Sequence, residues 1–491
     1  MVTPVAAPSP SFGTGPGSSP APESLVALLA ERVAVTPDRP AIMDPLADAT
    51  VWTWAELAAA AVEFAVALES AGLARGDRLA HLAPHGADWI VVDLACLLGG
   101  FVHVALHDAT ASGEQERLLA WLEPRGIVIG GDARPPRGGG LVFDMRSQRA
   151  SGLGLAVAGW RRRAADRESL LSELRRRTIG CDPDACATIL LSSGTTGRPH
   201  GVLHSQRGLA ANALAAADVF LDDPRDVRLS WLPLSHALAR TGDLYTAVVR
   251  GGCLAVVADR GRILDACRVA RPAVILGVPA FFERLEAGVR AGRLADLAAA
   301  LGGGVRVCIS GGAPLRERTA AFFTSRGVPL VEGYGLAEAG PVVTLSNPRI
   351  ARPGTVGPPV PGVEVRIDER PGSRGQLLVR TPSRALGTLA ADDDRPRPSN
   401  AEWLETGDLA GIDEAGHLRI TGRLSDTLVL ATGEKLPPAD VERALAEDEA
   451  VAQVCVVGDG LRYPVAIIVP EPSALRAAVR RMRLVVTSRR Q

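Results

Sequence analysis

The chain has 491 residues, 47% hydrophobic and 22% charged, enough apolar sequence to bury a large core in roughly two to four domains or subdomains. Its 54 basic and 55 acidic residues leave a formal charge of -1, so nothing in the composition calls for a nucleic-acid partner. Seven scattered cysteines with no CxxC pair argue against a zinc site or a disulfide framework, and fit reduced thiols in a cytoplasm.

Residues 1–22, rich in Pro, Ser, Gly and Ala, read as a flexible tail, without the charged and apolar regions of a secretory signal. From Glu23 to about Leu106, helical and strand patterns alternate: LVALLAERVA and WAELAAAAVEFAVALESAG are helix-like, DRLAHLA and FVHVAL strand-like. The longest apolar stretch, Trp89 to Leu106, carries Asp93, two glycines and a His. It reads as a buried helix followed by a strand, leaving at most peripheral membrane contact. Residues 130–150, rich in Gly and Arg, read as a loop. The alternation resumes with ATILL, LAVVADR, AVILGVP and VRVCIS, which predicts α/β layers with parallel pairing. Beyond Arg352 the short runs VEVRI, QLLVR and HLRI predict a small antiparallel barrel or sheet. After Gly422 come a helix, ADVERALAED, and the strands AQVCVVG and PVAIIVP. The expected fold is α/β: a large unit over 23–421, made of two layered subdomains and a small β-barrel, then a small α+β unit over 422–491.

The strongest local signal is Leu191-Ser-Ser-Gly-Thr-Thr-Gly-Arg-Pro-His-Gly201, placed between an apolar strand and a helix-like run. Ser192, Ser193, Thr195 and Thr196 supply hydroxyls, while Gly194, Gly197 and Gly201 let the backbone approach a ligand. Such a loop suits a polyphosphate, although it is not GxxxxGK[ST] and alone is ordinary linker chemistry. Four more segments end or separate strands: Ser310-Gly-Gly-Ala-Pro-Leu315, Glu332-Gly-Tyr-Gly-Leu-Ala-Glu338, Thr406-Gly-Asp-Leu409 and Gly422-Arg-Leu-Ser-Asp426. Strand ends with glycines are where α/β proteins place ligands. Taken singly, each is also a plain turn, Glu338 and Asp408 solvated carboxylates, and His236 a hydrogen-bonded loop histidine.

In this order and spacing the five motifs resemble the adenylate-forming superfamily of acyl-CoA synthetases, peptide-synthetase adenylation domains and luciferases. The resemblance runs from about Ser24 to Pro470 and makes 23–421 the AMP-binding unit. LPLSHALAR (232–240), GVPAFFERL (277–285) and the stretch 334–367 point further, to the long-chain fatty acyl-CoA synthetase branch. The resemblance implies ATP, Mg²⁺ and CoA as ligands, a fatty acid as substrate, and a cytoplasmic ligase of lipid metabolism. Ser192, Ser193, Gly194, Thr195, Thr196 and Gly197 would hold the β- and γ-phosphates. Gly311, Gly312, Ala313, Gly333, Tyr334 and Gly335 would line the adenine pocket. Glu338 would bind Mg²⁺, Asp408 and Arg423 the ribose hydroxyls, and His236 would stand beside the acyl tunnel. Thr195, His236, Glu338 and Arg423 form the implied catalytic set. The fatty carboxylate would displace pyrophosphate to give acyl-AMP, and a thiol would then take the acyl group. The small unit would rotate between the steps about a hinge near Ser425.

The sequence departs from that family at four places. The phosphate loop normally ends Pro-Lys-Gly and here ends Pro199-His200-Gly201, so a permanent charge is replaced by a histidine. Ala337 stands where Thr precedes the acid. Only residues 286–300 remain of a longer helical insertion. The family's terminal catalytic lysine has no counterpart after Lys435, the chain's one lysine beside 53 arginines, and the small unit reads as incomplete. Arg480, Arg481 or Arg483 is left as its substitute. Two further readings follow: a nucleotide- or acyl-AMP-binding pseudoenzyme, or a ligase that loads a carrier protein instead of CoA.

Overall fold

The first helices begin where the sequence supplies caps. Ser24 accepts a bond from the Ala27 amide at the head of the helix Leu25–Val35. Thr53 and Glu56 exchange reciprocal bonds at the head of Trp54–Ser70, with Thr53 N to Glu56 Oε2 at 2.8 Å and Glu56 N to Thr53 Oγ1 at 3.2 Å. Both bury an apolar face against Ala87–Gly99, a helix with little polar surface because it is covered nearly all round. The computed structural model describes residues 5–6, 23–47, 50–107, 110–133, 141–145, 149–151, 166–192, 200–220, 223–370, 375–390, 396–398 and 401–481.

Two large sheets form the layered core. The first has nine strands, in the order Arg397–Pro398, Gly387–Ala390, His200–Ser205, Cys186–Ser192, Val102–Ala105, Arg78–Leu82, Gly126–Ile129, Leu141–Asp144 and Arg149–Ser151. Its middle is parallel and both flanks are antiparallel. The second has eight: Thr344–Leu345, Leu330–Tyr334, Val307–Ser310, Val274–Gly277, Val227–Ser230, Cys253–Val256, Pro40–Asp44 and Thr50–Thr53. Its six inner strands run parallel, and each is an apolar run because helices cover the sheet.

A third, antiparallel sheet of five strands follows, in the order Val5–Ala6, Glu364–Ile367, Gln376–Arg380, Leu404–Ile412 and Leu418–Arg423. The C-terminal unit carries the helix Pro438–Ala446, the hairpin Val451–Val457 with Val465–Pro470, and the helix Pro472–Arg481. The α/β architecture with a large and a small unit is as the sequence predicts. No helix among the described residues is long and apolar enough to cross a membrane.

Six local expectations need correction. Within 130–150 the structure has the strands Leu141–Asp144 and the start of Arg149–Ser151, because a three-residue apolar run, Leu141 to Phe143, is enough to extend a covered sheet. Part of the supposed tail, Val5–Ala6, pairs antiparallel with Val365 and Glu364. The expected small barrel is an open sheet: its outer strands do not pair with each other among the described residues. The phosphate segment is followed first by a strand, His200–Ser205, antiparallel to Cys186–Ser192, and only then by the helix Gln206–Phe220. Thr406 to Leu409 does not separate strands but lies inside Leu404–Ile412, where Gly407 at φ +75° accompanies a register shift. In the same way Gly422 and Arg423 close the last strand of the third sheet rather than open the C-terminal unit.

Candidate active site

The parallel strands of the second sheet end together, and their ends wall a cavity of about 390 Å³. Leu276, Ser310 and Tyr334 close three of those strands, and Leu190 to Ser192 enter from the first sheet. Gly311, Gly312, Gly333, Tyr334 and Gly335 line it as the motifs predict. Ala313, expected beside them, is exposed and outside the lining. A Cβ on Gly333 would sit 2.9 Å from Leu345 Cδ1, and one on Gly335 1.6 Å from the Pro341 carbonyl oxygen. Only glycine lets this turn fold back on the hairpin with Thr344–Leu345.

Ser192 reaches the cavity, while Ser193, Gly194, Thr195, Thr196 and Gly197 lie outside the described residues. The chain re-enters at His200, whose Nε2 lies 3.3 Å from Glu338 Oε1. Glu338 sits on the turn Ala337–Ala339, and its carbonyl accepts from the Ala385 amide at 2.9 Å. The His200 bond pulls the Glu338 carboxyl below its ordinary range, against partial burial. A single carboxylate, 30% exposed, is a donor that Mg²⁺ takes when substrate oxygens and water complete its shell.

Asp408, Tyr334 and Arg423 converge from three strands. Asp408 is buried and accepts from Tyr334 Oη at 2.6 Å and from Arg423 Nε at 2.9 Å. Asp408 and Arg423 are directly opposed across the third sheet, so their pairing follows from register. Burial, then the Asp408 carboxylate, pushes the Tyr334 hydroxyl well above its ordinary value, so it stays protonated and donates. A carboxylate with one donor on each oxygen keeps further lone pairs, and next to a tyrosine ring at the cavity wall it is suited to a diol beside a flat base.

His236 is exposed, lines the cavity and packs against His107 with ring centroids 5.2 Å apart and planes tilted by 51°. From it, Ala237–Ala239 passes into the π-helix Arg240–Tyr245, which brings Leu238 and Gly242 to the wall. Sequence reasoning singled out 232–240 but missed the π-helix that follows and the polar network behind it, Asp93, His103, Thr188 and Arg240. The available signal was Asp93 itself, an acid inside an otherwise apolar stretch. Glu332 was read only as part of a glycine motif; burial lifts its carboxyl to about 7.

The sequence model of the family described as AMP-binding enzyme matches residues 29–389, and that of the AMP-binding enzyme C-terminal domain matches 425–486. The chain is 30% identical over 482 residues to the long-chain-fatty-acid–CoA ligase FadD15 of Mycobacterium bovis, covering 86% of this chain and 78% of that one. It is 28% identical over 442 residues to a feruloyl-CoA synthase of an Amycolatopsis species, covering 86% and 84%. Among solved structures, ATP-bound MatB from Rhodopseudomonas palustris superposes with a TM-score of 0.75 at 27% identity, covering 91% of this chain and 89% of that one.

Proposed function

Because the chain belongs to the AMP-binding enzyme family, we propose that it is an acid–thiol ligase that activates a fatty acid, of long chain, with ATP and passes the acyl group to CoA. The acid oxygen bonds to the α-phosphorus as the α–β anhydride breaks and pyrophosphate leaves. A thiol sulfur then bonds to the acyl carbon, AMP leaves, and the thiol proton goes to solvent. A carboxylate is already nucleophilic, so the protein's part is alignment and charge neutralisation.

In this reading Ser192 with Ser193 to Gly197 holds the phosphates, Gly311, Gly312, Gly333, Tyr334 and Gly335 the base, Asp408 and Arg423 the ribose. Glu338, steadied by His200, holds Mg²⁺, which supplies neutralisation of phosphate charge. His236 and Leu238 face the acid. Residues 23–421 form the nucleotide unit and 422–491 the mobile one, turning near Ser425. The observation that carries the reading is the convergence of three of the five motifs, and of the segment around His236, on one cavity at the parallel strand ends. Its relatives by sequence include ligases for fatty and aromatic acids, so chain length is what the assay must vary.

The test is acid-dependent ATP–pyrophosphate exchange across chain lengths, beside Glu338→Ala, followed by transfer to CoA or to a purified carrier. Exchange that peaks with long chains and is lost in the variant supports the reading. Exchange absent despite ATP binding leaves a nucleotide-binding protein without turnover, the reading that His200 and Ala337 favour. Transfer to the carrier but not to CoA redirects the acceptor.

A further inference from the structure

The cavity wall that begins at His236 hangs on one buried arginine. A π-helix widens the backbone by one residue per turn and recurs at functional sites. Here its cavity side carries Gly242, with Leu238 just before it, and its far side sends Arg240 into the first sheet. Arg240 is 1% exposed. Its Nη1 donates to Thr188 Oγ1 at 2.8 Å, and its Nη2 pairs with Asp93 on the helix Ala87–Gly99. Asp93 also accepts from His103 Nδ1 at 2.8 Å, and His103 Nε2 lies 3.0 Å from His81 Nδ1. The Thr188 hydroxyl donates onward to the His103 carbonyl at 2.7 Å.

Thr188 lies on Cys186–Ser192, the strand that leads into the phosphate segment and whose Leu190 and Leu191 also face the cavity. Arg240 therefore ties the wall on the acid side to the strand on the phosphate side. A buried ion pair adds little net stability over an apolar replacement of the same shape, so its main contribution here is a single fixed geometry.

We propose that Arg240 is a positioning residue, acting through Asp93 and Thr188, that keeps the acid side of the cavity in register with the phosphate strand. None of the three lines the cavity. The proposal rests on the adenylating reading, because register matters where an acid oxygen must meet an α-phosphorus. Misplacement of that order costs rate far more than it costs the binding of either reactant alone.

The variants are Thr188→Val, which keeps shape and cuts the strand side of the link, Arg240→Lys, and Thr188→Ser as the conservative rescue. The readouts are exchange kinetics, and calorimetric binding of ATP alone and of a dodecanoyl sulfamoyl adenosine that spans both halves of the cavity. We expect Thr188→Val and Arg240→Lys to lower kcat and weaken the spanning analogue by about tenfold or more, with the ATP Kd within about twofold and Thr188→Ser near wild type. Partial unfolding would instead lower the binding stoichiometry and leave every Kd unchanged; that result in Thr188→Val overturns the proposal, as does an unchanged kcat in folded protein. Arg240→Lys failing to fold leaves Thr188→Val to decide. If the wild type gives no exchange, the adenylating reading fails, and the spanning analogue still decides: selective weakening supports the register, and equal loss of ATP affinity or no binding by the wild type overturns it.

Discussion

Two carboxyl groups near the cavity are moved to opposite sides of their ordinary range. Glu338 is lowered by His200, whereas Glu332 is raised from 4.5 to about 7 by burial, which outweighs the Leu315 amide, 3.3 Å away, and the weaker pull of Arg443 and Arg419. A raised folded pKa means that Glu332 contributes stability in full below about 4.5 and loses it as pH climbs through about 7. Glu332→Gln keeps the shape and removes the titration. Its urea midpoint should match wild type at pH 4.5 and exceed it at pH 8 by the equivalent of about 2 kcal/mol; parallel profiles would refute the burial account. His200 invites a gain-of-function test. Lys there restores a permanent charge beside the phosphate segment, and exchange at pH 8 should rise about tenfold if transition-state neutralisation is what the histidine lacks. Tyr334, Glu338, Asp408 and Arg423 were legible because each sits in a short motif. The Arg240 network was not, because Arg240 and Asp93 are 147 residues apart and meet only in the fold.

At the scale of elements, strands with clear apolar runs were readable, and misreadings fell where a short run borrows its stability from a neighbour. Leu141–Asp144 is a strand because Gly126–Ile129 is there to pair with it, a fact no local window contains. Likewise Val5–Ala6 is ordered by the edge of Glu364–Ile367. The hairpin around the phosphate segment was missed because HGVLHS has only two aliphatic residues, side by side and without alternation, before a helix pattern takes over. The glycine turns after Val307–Ser310 and Leu330–Tyr334 were legible, unlike the glycines at 407 and 422 that lie within strands, but sequence could not rank them. Gly335 faces the Pro341 carbonyl, whereas Gly312, at φ +82°, has only Leu238 nearby, at 3.9 Å. Gly335→Ala should cost about 3 kcal/mol and abolish ATP binding, because backbone must move at the cavity rim. Gly312→Ala should cost about 1–2 kcal/mol from its left-handed backbone and keep measurable binding. Thermal unfolding and ATP calorimetry on the pair distinguish the two cases, and equal losses in both would show that the rim tolerates no side chain anywhere.

The molecule as a whole is held together unevenly. The two large sheets share one continuous apolar core, whereas the C-terminal unit is joined to them largely by polar contacts. Arg316 Nη2 donates to the Ala452 carbonyl at 2.6 Å, Arg318 Nη1 to the Glu447 carbonyl at 3.3 Å, and Arg290 Nη1 lies 3.6 Å from Glu449 Oε1. Beside them the two units enclose a cleft lined by Glu283, Arg293, Glu471 and Arg476, so much of the junction is charged and wet rather than packed. Such an interface resembles a transient protein contact, and exposed ion pairs of this kind contribute less than about 1 kcal/mol each. The restraint on the C-terminal unit is therefore small beside the stability of the sheets, and removing it should free the unit without unfolding either part. Arg316→Ala combined with Arg318→Ala should speed proteolytic cleavage within 424–434 about fivefold, while the main thermal transition moves by no more than the equivalent of about 1 kcal/mol. Raising salt to about 0.5 M should reproduce part of the effect in wild type, because screening weakens the Arg290–Glu449 pair but leaves the arginine–carbonyl bonds largely intact. A cleavage rate that stays at the wild-type value would mean that the connecting segment itself, not the arginines, fixes the orientation.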